Sequence, residues 1–245
     1  MRKRKYSALD KQNCVDDSLI ELIDTYWRMK REHTQDLCSC TTEKKASHLR
    51  EAADLKMPIP EIHNLVGTTQ MKTALKTLDL ERISEMLPNS MYDKQKFAAI
   101  TMRINHPFCT ILLFSSGKMV LTGCRTFVDC MLASHYIVNF LRICHPGVLF
   151  QIDNIKIQNI VGNVDLKMDN FSKMDLNMMI RDYNVYCTYQ KNTFPGLIYR
   201  PKKSPVVLLI FESGKIVITG GKSYHDVREG FKRLWPVVSK YVVKK

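Results

Sequence analysis

With 245 residues, 45% of them apolar, the chain is long and apolar enough to build a core, which argues against an intrinsically disordered protein. Its net charge is +13, and +11 of this falls in residues 58–245, so a polyanion such as nucleic acid or an anionic membrane is the favoured partner. No stretch approaches the ~18 apolar residues of a membrane helix, and the charged N-terminus lacks the apolar core of a signal peptide.

Residues 1–57 form a predicted N-terminal helical extension. A stripe of apolar residues at helical spacing supports it, namely Val15, Leu19, Leu22, Tyr26 and Met29. A polar connector follows, and Met57-Pro58-Ile59-Pro60 marks the end of the extension, because proline excludes the continuation of a helix. The basic start Arg2-Lys3-Arg4-Lys5 fits a nuclear address, a phosphate-contacting arm or a plain solvated terminus.

The eight cysteines are predicted to be reduced thiols in an intracellular protein, because no signal peptide precedes them. Cys38 and Cys40 form the only close pair in the sequence. They lack a second cysteine pair or a nearby histidine pair, so we expect no zinc site. We likewise expect no other metal and no cofactor.

The rest of the chain is an internal repeat, which we divide into residues 58–150 and 151–245. FSSGKMVLTG (114–123) recurs as FESGKIVITG (211–220), 97 residues later. IHNLVG (62–67) recurs as IQNIVG (157–162), 95 residues later. Each half has the same order of segments: Asn-apolar-Val-Gly, a helical stretch, Phe with an apolar run, a Gly-containing turn, a strand and a final helix.

Short apolar runs on either side of the Ser-Gly turns predict hairpins. The predicted strands are residues 110–114 with 119–122, and 206–211 with 216–219. Helical spacing after each hairpin predicts an amphipathic helix lying on the sheet. The apolar positions of these helices are Val128, Met131, Leu132, Val138 and Leu141, and then Tyr224, Val227, Phe231, Leu234 and Val238. The predicted fold class is therefore α+β, with antiparallel strands and helices on one face.

Both faces of the predicted sheet are apolar, although a face that water covers should be polar. The residues concerned are Leu112, Val120 and Leu121 in the first half and Leu209, Val217 and Ile218 in the second. Two such apolar sheet faces side by side would expose more than roughly a few hundred Å2, and an exposed apolar area of that size marks an interaction surface. Because basic residues surround it, the surface fits a widened minor groove, which has sugars and base edges inside and phosphates at its rim.

From about Ile59 to Tyr241 the chain resembles the core domain of the TATA-box-binding protein family. Five segments in family order carry the resemblance: KFAAITMRI (96–104), FSSGKMV (114–120), IKIQNIVG (155–162), FPGLIYR (194–200) and VVLLIFESGKIVITG (206–220). The resemblance implies a saddle, in which two tandem repeats form one curved antiparallel sheet with helices on the convex face. It also implies a general transcription initiation factor that binds A·T-rich promoter DNA in the minor groove as a monomer, and bends it to nucleate preinitiation complex assembly.

The resemblance implies roles for repeat-equivalent residues. Intercalating wedges are implied at Phe97, Phe114, Phe194 and Phe211. Base contacts are implied at Asn64, Asn159, Thr122, Thr219, Val66, Val161, Val120, Val217, Leu112 and Leu209. Phosphate contacts are implied at Lys96, Arg103, Lys118, Arg200 and Lys215. An Asn amide donates to adenine N3 or thymine O2, whereas a guanine amino group obstructs it, so A·T pairs are preferred. Core packing, local turn bonding and solvated charge are the alternative interpretations of the single residues.

Some positions depart from the family pattern. Phe108 and Pro205 replace two arginines, with Lys202 and Lys203 close by. The turn of residues 190–193, Gln-Lys-Asn-Thr, lacks the glutamates and leucine that engage the B-type initiation factor. In the predicted helix 126–142, apolar or neutral residues stand where polar or basic ones are expected: Met131, His135, Tyr136, Ile137, Asn139 and Phe140. The DNA face is thus better kept than the partner faces, as in a diverged paralogue or a protein of a large DNA virus or protist.

The implied partners are double-stranded DNA, the transcription initiation factors and the RNA polymerase machinery, in divergent form, with no membrane. The implied location is the nucleus, or a viral replication compartment for a viral protein. No catalytic constellation occurs in the sequence, so we expect no enzyme. The alternative is an interaction or decoy protein that binds transcription factors without productive promoter binding, and the retained phenylalanines and asparagines argue against it. We also predict that the N-terminal helix or a dedicated partner covers helix 126–142.

Overall fold

A computed structural model of the chain describes residues 57–166 and 171–244. The predicted N-terminal helix and the Cys38–Cys40 pair lie outside the described residues. The strands are β1 (Glu61–Thr73), β2 (Ser90–Asp93), β3 (Phe97–Asn105), β4 (Phe108–Phe114), β5 (Lys118–Cys124), β6 (Phe150–Ile152), β7 (Lys156–Asp165), β8 (Phe171–Met174), β9 (Cys187–Gln190), β10 (Phe194–Tyr199), β11 (Val207–Phe211), β12 (Lys215–Gly221) and β13 (Val242–Lys244). The α-helices are α1 (Leu80–Met86), α2 (Phe127–Cys144), α3 (Leu176–Asp182) and α4 (Tyr224–Val238).

Most strands of the described region form one antiparallel sheet whose two halves mirror each other. Its order is β2-β3-β4-β5-β1 followed by β7-β12-β11-β10-β9, so β1 and β7 pair at the centre. β6 pairs with β1, and β8 and β13 form a separate small sheet. The antiparallel sheet with its packed helices confirms the α+β fold class. The predicted unit boundaries at residues 58 and 151 stay predictions.

Alternation along the strands separates two faces of the sheet, because successive side chains point to opposite sides. In β4, Ile111 and Leu113 are buried, whereas Leu112 between them is half-buried. The helices α2 and α4 pack on the buried side, against β4, β5, β7 and β12. We call the opposite side the open face. The predicted hairpins are confirmed, and β5 and β12 each run two residues beyond their predicted ends.

One part of the apolar-face prediction is wrong. Leu121 and Ile218 belong to the core under the helices and are fully buried. They alternate with Val120 and Val217, which are half-buried on the open face. The sequence could not separate these neighbours, because a strand buried on one face and apolar on the other lacks the polar alternation that marks the solvated side.

Glycines in the two central strands leave room for close neighbours. A Cβ at Gly162 would lie 3.1 Å from Val227 Cγ1 of α4, which is tighter than an ordinary contact. A Cβ at Gly67 would lie 2.9 Å from Ile155 Cγ2, and at an ordinary contact distance of 3.7 Å from Cys130 Sγ of α2. These glycines are the last residues of the repeated Asn-apolar-Val-Gly segments. Gly162 therefore sets how close α4 lies to β7, the strand that carries Asn159, whereas the close neighbour of Gly67 is Ile155.

Both large helices begin with the same capping box. In α2 the Thr126 side chain accepts from Asp129 N at 3.0 Å, while Asp129 accepts from Thr126 N at 3.0 Å. In α4 the Ser223 side chain accepts from Asp226 N at 3.0 Å, and Asp226 accepts from Ser223 N at 3.0 Å. Such reciprocal bonds satisfy amide groups that a helix start leaves unpaired. The shared motif makes the helices start at repeat-equivalent positions.

The predicted apolar stripe of α2 is wrong in its N-terminal half. Val128, Met131 and Leu132 are half-buried, whereas Cys130 and Ala133 are fully buried. Ile137, expected on the exposed surface, is also fully buried. α2 is apolar on nearly every side, so spacing alone could not show which side faces the sheet. The predicted Val138 and Leu141 are buried, as expected.

In α4 the predicted stripe is confirmed except at its first residue. Val227, Phe231, Leu234 and Val238 are buried, whereas Tyr224 is exposed at the helix start. The opposite face of α4 is charged, so the amphipathic pattern fixes the buried side. The buried side of α4 could be predicted because charged residues mark its opposite side, and α2 lacks such a charged side.

Among the described residues, α2 is long and apolar enough to cross a membrane by length and composition alone. The prediction that no stretch approaches a membrane helix is therefore wrong for α2 in length and composition. Six of its 18 residues are buried against the sheet, as in the core helix of a folded domain.

Candidate nucleic-acid interface

Two pairs of phenylalanines stand at the ends of the hairpins in matching geometry. The rings of Phe97 and Phe114 have centroids 6.0 Å apart and an interplanar angle of 66°. The rings of Phe194 and Phe211 have centroids 5.8 Å apart and an angle of 66°. Phe97 is 47% exposed and the other three rings are half-buried. An edge-to-face pair with one accessible ring is a rigid apolar element that can enter a gap between flat rings.

The residue under each pair differs between the halves. Ala99 is the cross-strand partner of Phe114, and Gly196 is the cross-strand partner of Phe211. A Cβ at Gly196 would lie 2.7 Å from Phe194 Cε1 and 3.0 Å from Phe211 Cε1, too close for either ring to keep its position. The second pair therefore packs directly over glycine backbone.

The two asparagines lie at the centre of the sheet, where β1 and β7 pair. Asn64 is the cross-strand partner of Val161, and Asn159 is the partner of Val66, so the four residues form a reciprocal cluster. All four are half-buried. The structure thus brings four of the predicted base-contacting residues together, and their contact with bases stays a prediction.

Each asparagine is held by the backbone of a neighbouring strand. Asn64 Oδ1 accepts from Gly123 N at 2.7 Å, and Asn159 Oδ1 accepts from Gly220 N at 2.9 Å. With its oxygen occupied by a backbone donor, each amide has its NH2 group left to offer, and in Asn159 one of the two NH2 hydrogens donates to Thr219 Oγ1 at 3.1 Å. An NH2 group is a donor, and the minor-groove edges of A·T pairs offer acceptors. The anchor therefore sets the polarity that A·T recognition requires.

The anchoring glycines adopt a left-handed backbone that other residues rarely accept. Gly123 has φ +90° and Gly220 has φ +99°. A Cβ at Gly220 would also lie 2.8 Å from Pro205 O. Both glycines follow a threonine, Thr122 or Thr219, whose hydroxyl lies beside the asparagine amide. The Thr-Gly dipeptide is thus part of the asparagine anchor.

The predicted apolar base-contacting residues share the open face. Cross-strand partners are Leu112 with Val120 and Leu209 with Val217. All four are half-buried, while their strand neighbours are buried under the helices. Core packing alone does not account for this exposure. The four residues form an apolar floor between the phenylalanine pairs and the asparagines.

The five predicted phosphate-contacting cations are exposed. Lys118 and Lys215 begin β5 and β12 on the same side as Val120 and Val217, so they lie on the open face. Arg103 is the cross-strand partner of Thr110 on that face. Arg200 directly follows β10. Lys96 lies outside the strands and pairs with Asp93 at 3.0 Å, an intramolecular contact that sequence reasoning missed.

Sequence reasoning also missed polar residues of the open face. Thr68 is the cross-strand partner of Val120, and Asn163 is the partner of Val217. Gln158 Nε2 donates to Thr68 Oγ1 at 2.7 Å. The alternation of β1 and β7 around Val66 and Val161 was the signal that could have identified Thr68 and Asn163. Gln158 was hidden by the irregular register between these strands.

Three cysteines fill the core behind the first asparagine anchor. Cys109, Cys124 and Cys130 are free and buried, and Cys124 directly follows the anchoring Gly123. Contact with the Cys124 thiol and burial both raise the pKa of Cys109 and of Cys130, so these two thiols stay protonated. Within residues 57–166 and 171–244, no cluster of His, Cys, Asp or Glu has the arrangement to hold a metal ion.

The turn between β9 and β10 is joined by a charge pair to the turn between β11 and β12. Lys191 Nζ lies 3.2 Å from Glu212 Oε1, and Tyr189 donates to the same oxygen at 3.3 Å. Gln190, Asn192 and Thr193 around it are exposed. The Glu212 carboxylate, in the turn between β11 and β12, is therefore engaged by Lys191 and Tyr189.

The chain is similar to known proteins over most of its described length. A family model described as "Transcription factor TFIID (or TATA-binding protein, TBP)" matches residues 59–144 and 154–241. These ranges include both phenylalanine pairs and both asparagine anchors.

Individual relatives agree with the family match. The chain is 38% identical over 184 residues to the TATA-box-binding protein of Saccharomyces cerevisiae, covering 75% of this chain and 72% of that protein. It is 37% identical over 188 residues to the TATA-box-binding protein of Caenorhabditis elegans, covering 76% of this chain but 52% of that protein. The solved structure of Methanococcus jannaschii TBP matches with a TM-score of 0.63 at 31% identity, covering 75% of this chain and 99% of that one.

Proposed function

Because this chain belongs to the TATA-binding protein family, we propose that its open face binds A·T-rich promoter DNA in the minor groove as a general transcription initiation factor. The observation that carries the proposal is the repeated geometry: two phenylalanine pairs at 6.0 and 5.8 Å and two backbone-anchored asparagines. Two matching half-sites suit the pseudo-symmetry of two antiparallel DNA strands.

Different residues of the open face contact different parts of the DNA. Phe97, Phe114, Phe194 and Phe211 enter base steps at the two ends of the site. Apolar wedges unstack such steps and kink the duplex toward the major groove, a behaviour already described for TATA-binding proteins themselves. The asparagines select A·T pairs at the centre, because each presents a donor to adenine N3 or thymine O2. The exposed cations neutralise phosphates at the rim. The bent duplex then nucleates preinitiation complex assembly.

We further propose that the protein acts as a monomer in the nucleus, and as a DNA-binding factor rather than an enzyme. Its contact with initiation factors differs from that of its relatives at the β9–β10 turn. Gln190, Asn192 and Thr193 offer neutral groups there, and Glu212 is paired with Lys191. A B-type factor that needs free carboxylates at this turn binds weakly.

A competition binding assay tests the DNA proposal. The full chain is mixed with a labelled A·T-rich duplex, and unlabelled A·T-rich or G·C-rich duplexes compete. The A·T-rich competitor should displace the label at far lower concentration. Equal competition by the two duplexes would show that the asparagines read no sequence, and would leave the decoy or interaction role as the better account.

A further inference from the structure

One aromatic side chain of the open face has no role in the account above. Phe108 is the first residue of β4, and its side chain is 70% exposed. It lies on the same side of the strand as Leu112 and Phe114, because exposed and buried residues alternate without a break from Phe108 to Phe114. Phe108 therefore belongs to the open face, at the opposite end of β4 from the first phenylalanine pair.

Its ring stands beside the first asparagine anchor. A Cβ at Gly123 would lie 3.5 Å from Phe108 Cε1 and 3.6 Å from Cδ1, so the ring covers that glycine. Gly123 is the residue whose N–H holds Asn64 Oδ1 at 2.7 Å. An exposed phenyl ring thus borders the amide that faces the bases.

The second half offers no counterpart to this ring. The position 97 residues further on is Pro205, an exposed proline before β11. Neither position carries a positive charge. The side chain at this position is therefore a large aromatic ring in the first half and a short aliphatic ring in the second.

We propose that Phe108 contacts DNA, and that its ring packs against a deoxyribose of the DNA strand that runs beside Asn64. The proposal rests on the proposed function, since it requires DNA on the open face. A phenyl ring cannot pair with a phosphate, but it can bury the apolar edge of a sugar. The contact supplies affinity that is independent of salt and is confined to the first half of the site.

Alanine and lysine substitutions separate an apolar contact from a charge contact. Phe108→Ala should weaken binding to an A·T-rich duplex about tenfold, as expected for burying most of a phenyl ring. The slope of log K against log salt should not change, because no charge is removed. Phe108→Lys should instead steepen that slope by roughly 0.9, the effect of one added phosphate contact. Phe108→Leu, which keeps an apolar contact, should bind nearly as tightly as the wild type.

The matched control is Phe127→Ala. Phe127 is also exposed, at 38%, but it begins α2 on the helix-covered side of the sheet. This variant should leave DNA affinity unchanged. Thermal unfolding of each variant checks that lost affinity does not reflect lost fold.

Hydroxyl-radical footprinting locates the contact, because the radical attacks deoxyribose. Phe108→Ala should expose sugars in one half of the site and leave the other half protected. A wild type that binds, with Phe108→Ala equal to it in affinity and footprint, would overturn the sugar contact alone. A wild type that does not bind A·T-rich DNA would overturn the proposed function, and the contact with it.

Discussion

The two halves of the sheet agree closely at the phenylalanine pairs and the asparagine anchors, whereas their two large helices diverge. The phenylalanine pairs have the same interplanar angle of 66°, and the asparagine anchors differ by only 0.2 Å, at 2.7 and 2.9 Å. By contrast, α2 has Arg142 as the one basic residue of its 18, while α4 carries several exposed cations. A ligand with two similar halves constrains both repeats alike, whereas partners that contact one helix constrain only that helix.

Removing one phenylalanine pair should produce the largest effect. The double variants Phe97→Ala/Phe114→Ala and Phe194→Ala/Phe211→Ala should each weaken DNA binding by about 3 kcal/mol, roughly 100-fold, because the kinked steps lose their wedge. Titration of an A·T-rich duplex by fluorescence anisotropy measures both. Equal losses would show that the two phenylalanine pairs contribute equally to DNA binding. A loss below threefold in either variant would contradict this, since that pair would then not enter DNA.

Removing one asparagine amide should have the next largest effect. Asn64→Ala and Asn159→Ala should each cost ~1–3 kcal/mol of binding to A·T-rich DNA, with a smaller change on G·C-rich DNA. Asn159 Nδ2 also donates to Thr219 Oγ1 at 3.1 Å, so Thr219→Val should weaken binding as well. The same competition assay compares the three variants. If A·T preference survives both alanine substitutions, the anchored amides do not read the bases.

The residue beneath each phenylalanine pair provides a smaller and more local test. Gly196→Ala should displace the rings of Phe194 and Phe211, since its Cβ would lie within 3.0 Å of both. We expect a loss of about 1 kcal/mol, roughly fivefold in affinity, with an intact fold. The reverse variant, Ala99→Gly, adds space and should keep wild-type affinity. Gly196→Ala binding as tightly as the wild type would show that ring position in the second half tolerates displacement.

The smallest expected effect is on the stability of the fold, and it arises from the capping box of α4. A hydrogen bond from the Lys222 backbone amide, and then hydrogen bonds from Ser223, lower the pKa of the Asp226 carboxyl below its usual 3.8. A lowered pKa in the folded state stabilises the protein above the unfolded-state pKa, and this contribution is lost as pH falls through the folded-state pKa.

Asp226→Asn should therefore lower the midpoint of urea unfolding slightly at neutral pH. Its difference from the wild type should vanish once the pH is low enough to protonate Asp226 in both states. Glu85→Gln, which removes an exposed carboxylate from α1, is the control for the loss of one surface charge at neutral pH. A difference that persists at low pH would mean that Asp226 does not act through its charge.

The sequence predicted the parts of this structure that local chemistry determines. Ser-Gly turns between apolar runs set the hairpins, and Gly117 and Gly214 there have φ +80° and +84°, as such turns require. The repeat identified all four phenylalanines and both asparagines, because the phenylalanines recur after 97 residues and the asparagines after 95. The charged face of α4 fixed which side of that helix is buried.

The remaining features depend on contacts that spacing does not encode. The buried side of α2 could not be predicted, since no charged face opposes its apolar residues. The orientation of the Asn64 amide depends on the left-handed backbone of Gly123 in a different strand. The side of the sheet on which Phe108 lies follows from strand alternation, but the place of its ring over Gly123 depends on a residue in a different strand.

The central claim is that the open face bends A·T-rich DNA by inserting both phenylalanine pairs. Energy transfer between dyes on the two ends of a short A·T-rich duplex measures this directly. The wild type should shorten the end-to-end distance, and each double phenylalanine variant, at concentrations that saturate the duplex, should shorten it less. Saturating binding by the wild type with no change in distance would contradict the account.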